Sequence, residues 1–193
     1  ASPSILPETP ISCTLKIYAD NGYFAQSTFT IVVGEMRSID PIPDNSTPPL
    51  YWAFDEVDTL YPPHPQFNWV ELRAQEQATR LTLSDDETRT ITLPSSFGPF
   101  IFYGQSYNQI SICSNGWVAP GYTTVTTYTN TELPNSSMPP LFAANWDDLY
   151  PPSGNGVWYY HDSANHRFIV EWDSVRYFNP NTIWEKFQII LYD

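Results

Sequence analysis

The sequence predicts an all-β fold, an antiparallel β-sandwich or jelly-roll-like domain that follows a partial immunoglobulin-like β-hairpin. Aromatic residues make up 16% of the 193 residues, and aromatic and β-branched side chains favour strands. Short stretches of alternating apolar and polar residues recur along the chain, and turn residues separate them about every ten positions. Helical periodicity nowhere extends beyond a turn or two.

The first predicted element is a β-hairpin over residues 11–33. Apolar residues alternate with polar ones on both sides of Asn21-Gly22, a dipeptide that tolerates the positive φ values of a tight hairpin turn. A lone two-stranded hairpin is at best marginally stable in water. The hairpin must therefore pack on something else or be the last two strands of an immunoglobulin-like sandwich. We expect residues 1–38, which resemble the end of an immunoglobulin-like module, to follow the second alternative, with residues 39–50 as a Pro-rich linker.

Residues 51–193 are expected to form the main sandwich domain. The segment 109–114 is predicted to pair with the strand that follows the Asn115-Gly116 turn. The last strand reaches the end of the chain, which suggests a domain truncated at its C-terminal end. The other predicted strands are 67–75, with a short helix over 70–81 as the alternative, 79–84, 88–94, 97–104, 141–146, 156–162, 167–175 and 185–193.

The charge balance excludes several classes of partner. The net charge is −13, with only 8 Lys and Arg residues. An acidic surface repels nucleic acid phosphates and anionic membranes, and no apolar run approaches the ~18 residues of a membrane span. Such a surface does suit Ca²⁺ binding by carboxylates and solubility outside the cell.

Three short motifs stand out in the main domain: "FYG" at residues 102–104, "SNGW" at 114–117 and "NWDD" at 145–148. With the strands around them, they resemble an accessory β-rich module of large secreted bacterial proteins, found beside gingipain-like, subtilisin-like and metallocarboxypeptidase-type extracellular peptidases. The region is also distantly similar to the nidogen-type domain. The resemblance implies a non-catalytic domain outside the bacterial cell or on its surface.

Acidic clusters offer a possible structural Ca²⁺ site, although no cofactor is required by the sequence. Asp147 and Asp148 follow a predicted strand and precede a Gly/Asn loop, and Asp55 and Asp58 could add ligands if the loops meet. A further acidic run lies at 85–87. Ca²⁺ takes six to eight oxygen ligands, but none of these segments matches the twelve-residue calcium loop. The alternative is that they are solvated turn residues.

The two cysteines, Cys13 and Cys113, both lie in predicted strands. They could be free buried thiols, or they could form a disulfide if their strands are adjacent in space. The sequence leaves both alternatives open.

Aromatic side chains are the candidate ligand-binding residues. Exposed Trp and Tyr rings provide flat apolar area for a sugar or a peptide at small entropic cost. We select Trp117 and Tyr122, which follow the predicted Asn115-Gly116 turn, and Trp158 and Tyr160, because the consecutive aromatics at 158–160 must point to both faces of their strand. The alternative is that such residues fill the core between the two sheets.

Catalytic patterns are weak. Glu171 is the best candidate acid for glycoside hydrolysis, but a mid-strand Glu is more often an outward polar residue. His161 and His166 flank a turn and are expected to be solvated. No nucleophile motif or phosphate loop is present. We therefore expect no enzymatic activity.

The sequence thus predicts an extracellular or cell-surface accessory domain for spacing, adhesion or assembly in a larger secreted protein. Its expected partners are the neighbouring domains of the parent protein, and self-association or strand exchange is a further possibility. The main alternative function is a carbohydrate-binding module that uses exposed Trp and Tyr. A hydrolase is a weaker alternative.

Overall fold

The computed structural model describes residues 9–20, 22–33 and 41–193. Within these ranges every strand pairing is antiparallel, and the helical segments are two 3₁₀ turns of three residues each. None of their helices is long and apolar enough to cross a membrane. The predicted all-β class is confirmed. The chain divides into two compact units, Ala1–Asn68 and Trp69–Asp193.

The first unit contains the predicted hairpin. Strand β1 (Thr9–Tyr18) pairs with β2 (Phe24–Val33) along its whole length. Gly22 has φ +81°, and its N–H donates to the carbonyl of Ala19, which closes the turn. Asn21, the other residue of the predicted Asn-Gly turn, lies outside the described residues.

A second, smaller pairing joins the predicted linker to the start of the predicted main domain. Strand β3 (Ile42–Pro43) pairs with β4 (Trp52–Ala53). The carboxylate of Asp44 accepts hydrogen bonds from the backbone N–H groups of Ser46, Leu50 and Tyr51. The loop between β3 and β4 is therefore organised around the single carboxylate of Asp44.

The second unit is built from eleven strands and the two 3₁₀ turns, Leu72–Ala74 and Ser163–Asn165. The strands are β5 (Thr79–Leu81), β6 (Thr88–Thr92), β7 (Phe100–Phe102), β8 (Gln105–Tyr107), β9 (Gln109–Cys113), β10 (Trp117–Pro120), β11 (Phe142–Ala143), β12 (Leu149–Tyr150), β13 (Gly156–Asp162), β14 (Arg167–Tyr177) and β15 (Trp184–Tyr192).

Two sheets of this unit face each other across one apolar core. The first sheet has the strand order β11-β10-β9-β6, and the second has β12-β14-β13-β5 with β15 also paired to β14. Apolar residues that alternate along both sheets pack together, as the period of a strand requires. The core includes Leu81, Ile110, Ile112, Val118, Val157, Phe168, Val170 and Trp172. The second unit is therefore an antiparallel sandwich.

The predicted strand over residues 67–75 is wrong. This segment has no strand pairing, and its C-terminal part forms the 3₁₀ turn Leu72–Ala74. Leu72 is fully buried, and its N–H donates to Glu171 Oε2 at 3.1 Å. The carboxylate of Glu171 thus accepts the backbone hydrogen bond that a neighbouring strand would have accepted if this segment were a strand.

The β9–β10 hairpin is confirmed, and its turn is buried. Cys113 pairs with Trp117, which leaves a three-residue loop with Gly116 at φ +83°. A Gly in the left-handed region at the end of a three-residue loop is a common hairpin connection. A Cβ atom on Gly116 would lie 1.9 Å from the carbonyl oxygen of Asn145. The position therefore requires Gly for both its φ value and its lack of a side chain.

We predict that Gly116→Ala destabilises the second unit by about 3 kcal/mol or more, because a left-handed penalty of about 1–2 kcal/mol adds to an overpacking cost. Gly98→Ala is the matched control, since Gly98 has φ +74° but open space around its Cα. It should cost only about 1 kcal/mol. Urea unfolding of both variants measures the difference. Equal losses would show that the carbonyl of Asn145 moves aside without cost.

Candidate functional site

The second unit gathers acidic side chains into two clusters. The first, which we call the acidic cluster, comprises Asp85, Asp86 and Asp148, whose ligand oxygens all lie within 4.8 Å of one another. Asp86 Oδ1 accepts a hydrogen bond from Asn115 Nδ2 at 2.7 Å. Asp85 Oδ1 is buried and has no hydrogen-bond partner among the described residues. The acidic cluster therefore has unused oxygen ligands.

Electrostatic repulsion shapes the acidic cluster. Burial raises the pKa of Asp85, and the charge of Asp86 raises it further. Burial also raises the pKa of Asp148, with added repulsion from Asp86, Asp85 and Asp147. The nearby Arg89 forms its ion pair with Glu87. A hard divalent cation would relieve this repulsion and would find the carboxylate oxygens that it prefers.

The four residues predicted to bind Ca²⁺ do not form one site. Asp148 joins the acidic cluster, whereas Asp147 Oδ1 accepts a hydrogen bond from the N–H of Asp148 at 2.7 Å. Asp55 and Asp58 belong to the first unit. There Asp58 Oδ2 accepts the N–H of Asp55 at 2.8 Å, and Asp55 Oδ1 accepts the N–H of Val57 at 2.9 Å. Both residues therefore organise a local turn.

The second cluster, the Lys186 network, is an ion network under the segment that begins at Trp69. Lys186 Nζ lies 2.6 Å from Glu71 Oε2, 3.1 Å from Asp173 Oδ1 and 3.5 Å from Glu171 Oε1. It also lies 5.3 Å from the centre of the Trp69 ring, within reach of a cation–π interaction. One ammonium group therefore serves three carboxylates.

Burial and pairing set the protonation preferences of the Lys186 network. Burial raises the pKa of Glu171, even though Oε2 of Glu171 accepts hydrogen bonds from the Leu72 N–H and from Gln188 Nε2. Burial alone would raise the pKa of Asp173 as well, but the hydrogen bond and charge of Lys186 hold that pKa below its usual value. Burial alone would lower the pKa of Lys186. Its hydrogen bonds to Glu71 and Asp173 and the negative charges around it outweigh burial and raise that pKa.

The structure corrects the expectation for Glu171. The side chain is fully buried rather than exposed on the outer face of its strand. Its contacts with Leu72, Gln188 and Lys186 attach the segment around the 3₁₀ turn to strands β14 and β15. Glu171 therefore holds the segment around the 3₁₀ turn against the sheet, and its carboxylate is not exposed to a substrate.

The candidate ligand-binding aromatics do not share one surface. Trp117 is fully buried, and its Nε1 donates to the carbonyl of Thr127 at 3.2 Å, so this ring cannot act as a binding platform. Tyr122 is 73% exposed after strand β10. Trp158 and Tyr160 are partly buried on β13, in the opposite sheet. Only the last two are near neighbours in sequence and structure.

Cysteine and histidine positions also refine the expectations. Cys13 and Cys113 both carry free thiols, and Cys113 is enclosed beside Trp117 and Ala119. His161 is not a solvated turn residue, because its ring lies 5.8 Å from that of Phe97 within the sandwich. The alternation of β13, which places Val157 inward, was the signal that could have shown this.

Comparison with known proteins finds one family. The family described as NIDO related matches residues 65–193, which include the whole of the second unit. No curated protein and no solved structure matches the chain.

We predict that Lys186→Met destabilises the protein by about 3 kcal/mol at pH 7, because it leaves carboxylates buried without their cation. The lowered pKa of Asp173 contributes stability above the usual carboxyl pKa that is lost as the pH falls. The wild type should therefore lose this advantage below about pH 4, where the variant's carboxyls also take up protons.

Urea unfolding at a series of pH values measures the effect. Lys16→Met is the matched control, since it removes the same charge from an exposed site on the hairpin. It should change the free energy of unfolding by less than about 0.5 kcal/mol. A loss for Lys186→Met that stays constant from neutral to acidic pH would contradict the electrostatic role.

Proposed function

Because the chain belongs to the NIDO-related family, we propose that it is a non-catalytic extracellular accessory domain for spacing, adhesion or assembly within a larger secreted or cell-surface protein. The family match over residues 65–193 is the observation that carries the proposal. The role of Glu171 supports it, since the best candidate acid is bound to Leu72, Gln188 and Lys186 inside the fold.

The hairpin of the first unit is the element that we assign to assembly. One face carries apolar side chains from both strands, since Cys13 pairs with Phe29 and Ile11 with Ile31. Leu15, Ile17, Phe29 and Ile31 are each about half exposed. The other face is polar in its middle, with Thr14 Oγ1 3.4 Å from Thr28 Oγ1, and carries the aromatic pair Tyr18 and Phe24 at the turn end. The hairpin is thus an amphipathic two-stranded sheet.

The occupant that we propose for the apolar face is a second copy of this chain. Within the described ranges β1 and β2 pair only with each other, so each has an edge available for strand addition. A second copy offers an identical apolar face and identical edges. A two-fold contact would therefore bury the apolar faces of both copies at once.

We predict that the protein self-associates as its concentration rises and that Phe29→Lys keeps it monomeric. Thr28→Lys, the matched control on the polar face, adds the same charge and should associate like the wild type. Because the chain has a net charge of −13, added Lys reduces repulsion between copies, so a loss of association must come from the apolar face. Sedimentation velocity distinguishes these results. A wild type that is strictly monomeric at every concentration would refute assembly through the hairpin.

We also propose that the acidic cluster holds a structural Ca²⁺ ion. Support comes from its three converging carboxylates and from the unpartnered Oδ1 of Asp85. The cluster lies beside Asn115, whose Oδ1 accepts the N–H of Leu149 at 3.0 Å. A cation there would strengthen the connection between the β9–β10 turn and the acidic loop at residues 85–86.

We predict that Ca²⁺ raises the melting temperature and that a chelator lowers it again. A ligand at about 100 times its Kd stabilises the folded state by about 2.7 kcal/mol. Asp148→Asn should abolish the response, yet melt no lower than the Ca²⁺-free wild type because it removes one of the repelling charges. Asp55→Asn, in the first unit, should respond like the wild type. Identical melting with Ca²⁺ and with chelator would exclude a stabilising ion.

A further inference from the structure

A recess of about 220 Å³ opens in the second unit where strand β13 extends beyond its neighbour β5. Strand β5 pairs with β13 only from Val157 to Tyr159, so the edge of β13 is open from Tyr160 onwards. The backbone before β5 leaves the sheet, and Gln77 comes to line the opening. We call this feature the β13 recess. Its wall also includes Thr92, Tyr159, His161, Ser163 and Phe168.

His161 gives the β13 recess its unusual chemistry. Its Nε2 atom is buried and has no hydrogen-bond partner among the described residues. The ring is packed edge-on to Phe97 at 5.8 Å and stacked on Phe168 at 6.5 Å. Nε2 is covered by its surroundings in this structure, so a ligand in the recess reaches it only when the ring turns towards the opening. A buried polar atom without a partner costs about 1–3 kcal/mol, so a ligand that satisfies this nitrogen would recover that energy.

The lining of the β13 recess defines the ligand chemistry. Hydroxyl and amide groups come from Ser163, Thr92 and Gln77, and the partly buried Tyr159 adds aromatic surface, whereas Phe168 is only 1% exposed and forms the base of the recess. No Asp, Glu, Lys or Arg residue is among those that line it. A hydroxyl can both donate and accept, so it suits either tautomer of His161. The recess is thus suited to a neutral molecule with hydroxyl edges and an apolar face.

The volume of the recess and the net charge of the chain limit which ligands can bind. A volume of about 220 Å³ is smaller than the pockets of about 300–1,000 Å³ that hold drug-sized ligands. One ring is therefore the appropriate size. The net charge of −13 disfavours an acidic sugar because it repels anions over the whole surface.

We propose that the β13 recess binds one neutral pyranose ring, such as the terminal monosaccharide of a glycan, with Nε2 of His161 bound to a ring hydroxyl. The site includes Tyr160, one of the aromatics selected from the sequence, but not Trp117 or Tyr122. It is independent of the hairpin and of the acidic cluster, so its failure would leave the proposed assembly role intact.

The experiment is an NMR titration of the whole chain with methyl glycosides of glucose, galactose, mannose and N-acetylglucosamine. At least one should give saturable shifts of the Gln77 side-chain amide and the His161 ring, with a Kd in the ~1 mM range of weak binding. Glucuronate is the charged control and should bind more weakly than the best neutral sugar.

Two variants test the recess itself. His161→Phe keeps the aromatic packing but removes the nitrogen, and it should weaken binding about tenfold, or about 1.4 kcal/mol. Gln77→Leu changes an exposed position and should weaken binding without affecting the core. The matched controls are His166→Phe in the adjacent turn and Gln105→Leu on β8, which should both bind like the wild type.

Each contrary result is decisive. If no neutral sugar gives saturable shifts, the recess holds only water and the proposal fails. Binding that His161→Phe and Gln77→Leu leave unchanged would place the sugar elsewhere on the surface. Glucuronate binding as tightly as the neutral sugars would overturn the assignment of ligand class.

Discussion

The fold depends on strand β14, because both of its faces are buried. Phe168, Val170 and Trp172 point into the core between the sheets, whereas Glu171 and Asp173 are buried on the opposite face. Buried charges are tolerated only when they are paired and hydrogen-bonded. The sandwich therefore needs a cover for its outer face as well as a core. The segment around the 3₁₀ turn, with Lys186, provides that cover.

A β-bulge makes the Lys186 network possible. Trp172 pairs with Phe187 and Val175 with Glu185, so two residues of β14 stand opposite the single residue Lys186. Such bulges bend a strand and redirect its side chains. Asp173 remains paired with Gly156 of β13, while its Oδ1 lies 3.1 Å from Lys186 Nζ. The irregularity thus gives one ammonium group access to three carboxylates without interrupting the core.

Local patterns predicted the strands well because alternation records which side chains face the core. The strand at residues 156–162, the Asn115-Gly116 turn and the last strand all follow from such patterns. The segment before β5 could not be predicted in this way, since its conformation depends on Glu171, a partner distant in sequence. The acidic cluster has the same origin, because Asp148 meets Asp85 and Asp86 only when two loops converge. The meeting of two distant loops produces no periodic pattern in the sequence.

The most recognisable motif, residues 114–117, contributes to the fold rather than to a binding surface. Ser114, Asn115 and Trp117 are fully buried. The Asn115 amide bonds Asp86, Thr126 and Leu149, and the carbonyl of Ser114 accepts a hydrogen bond from Trp172 in the other sheet. A motif under such constraints identifies a fold whatever ligand the fold serves. The groups that we propose for binding lie outside it, at the hairpin face, the acidic cluster and the β13 recess. Family membership therefore specifies the scaffold, and the ligand must be sought at positions that the scaffold leaves unconstrained.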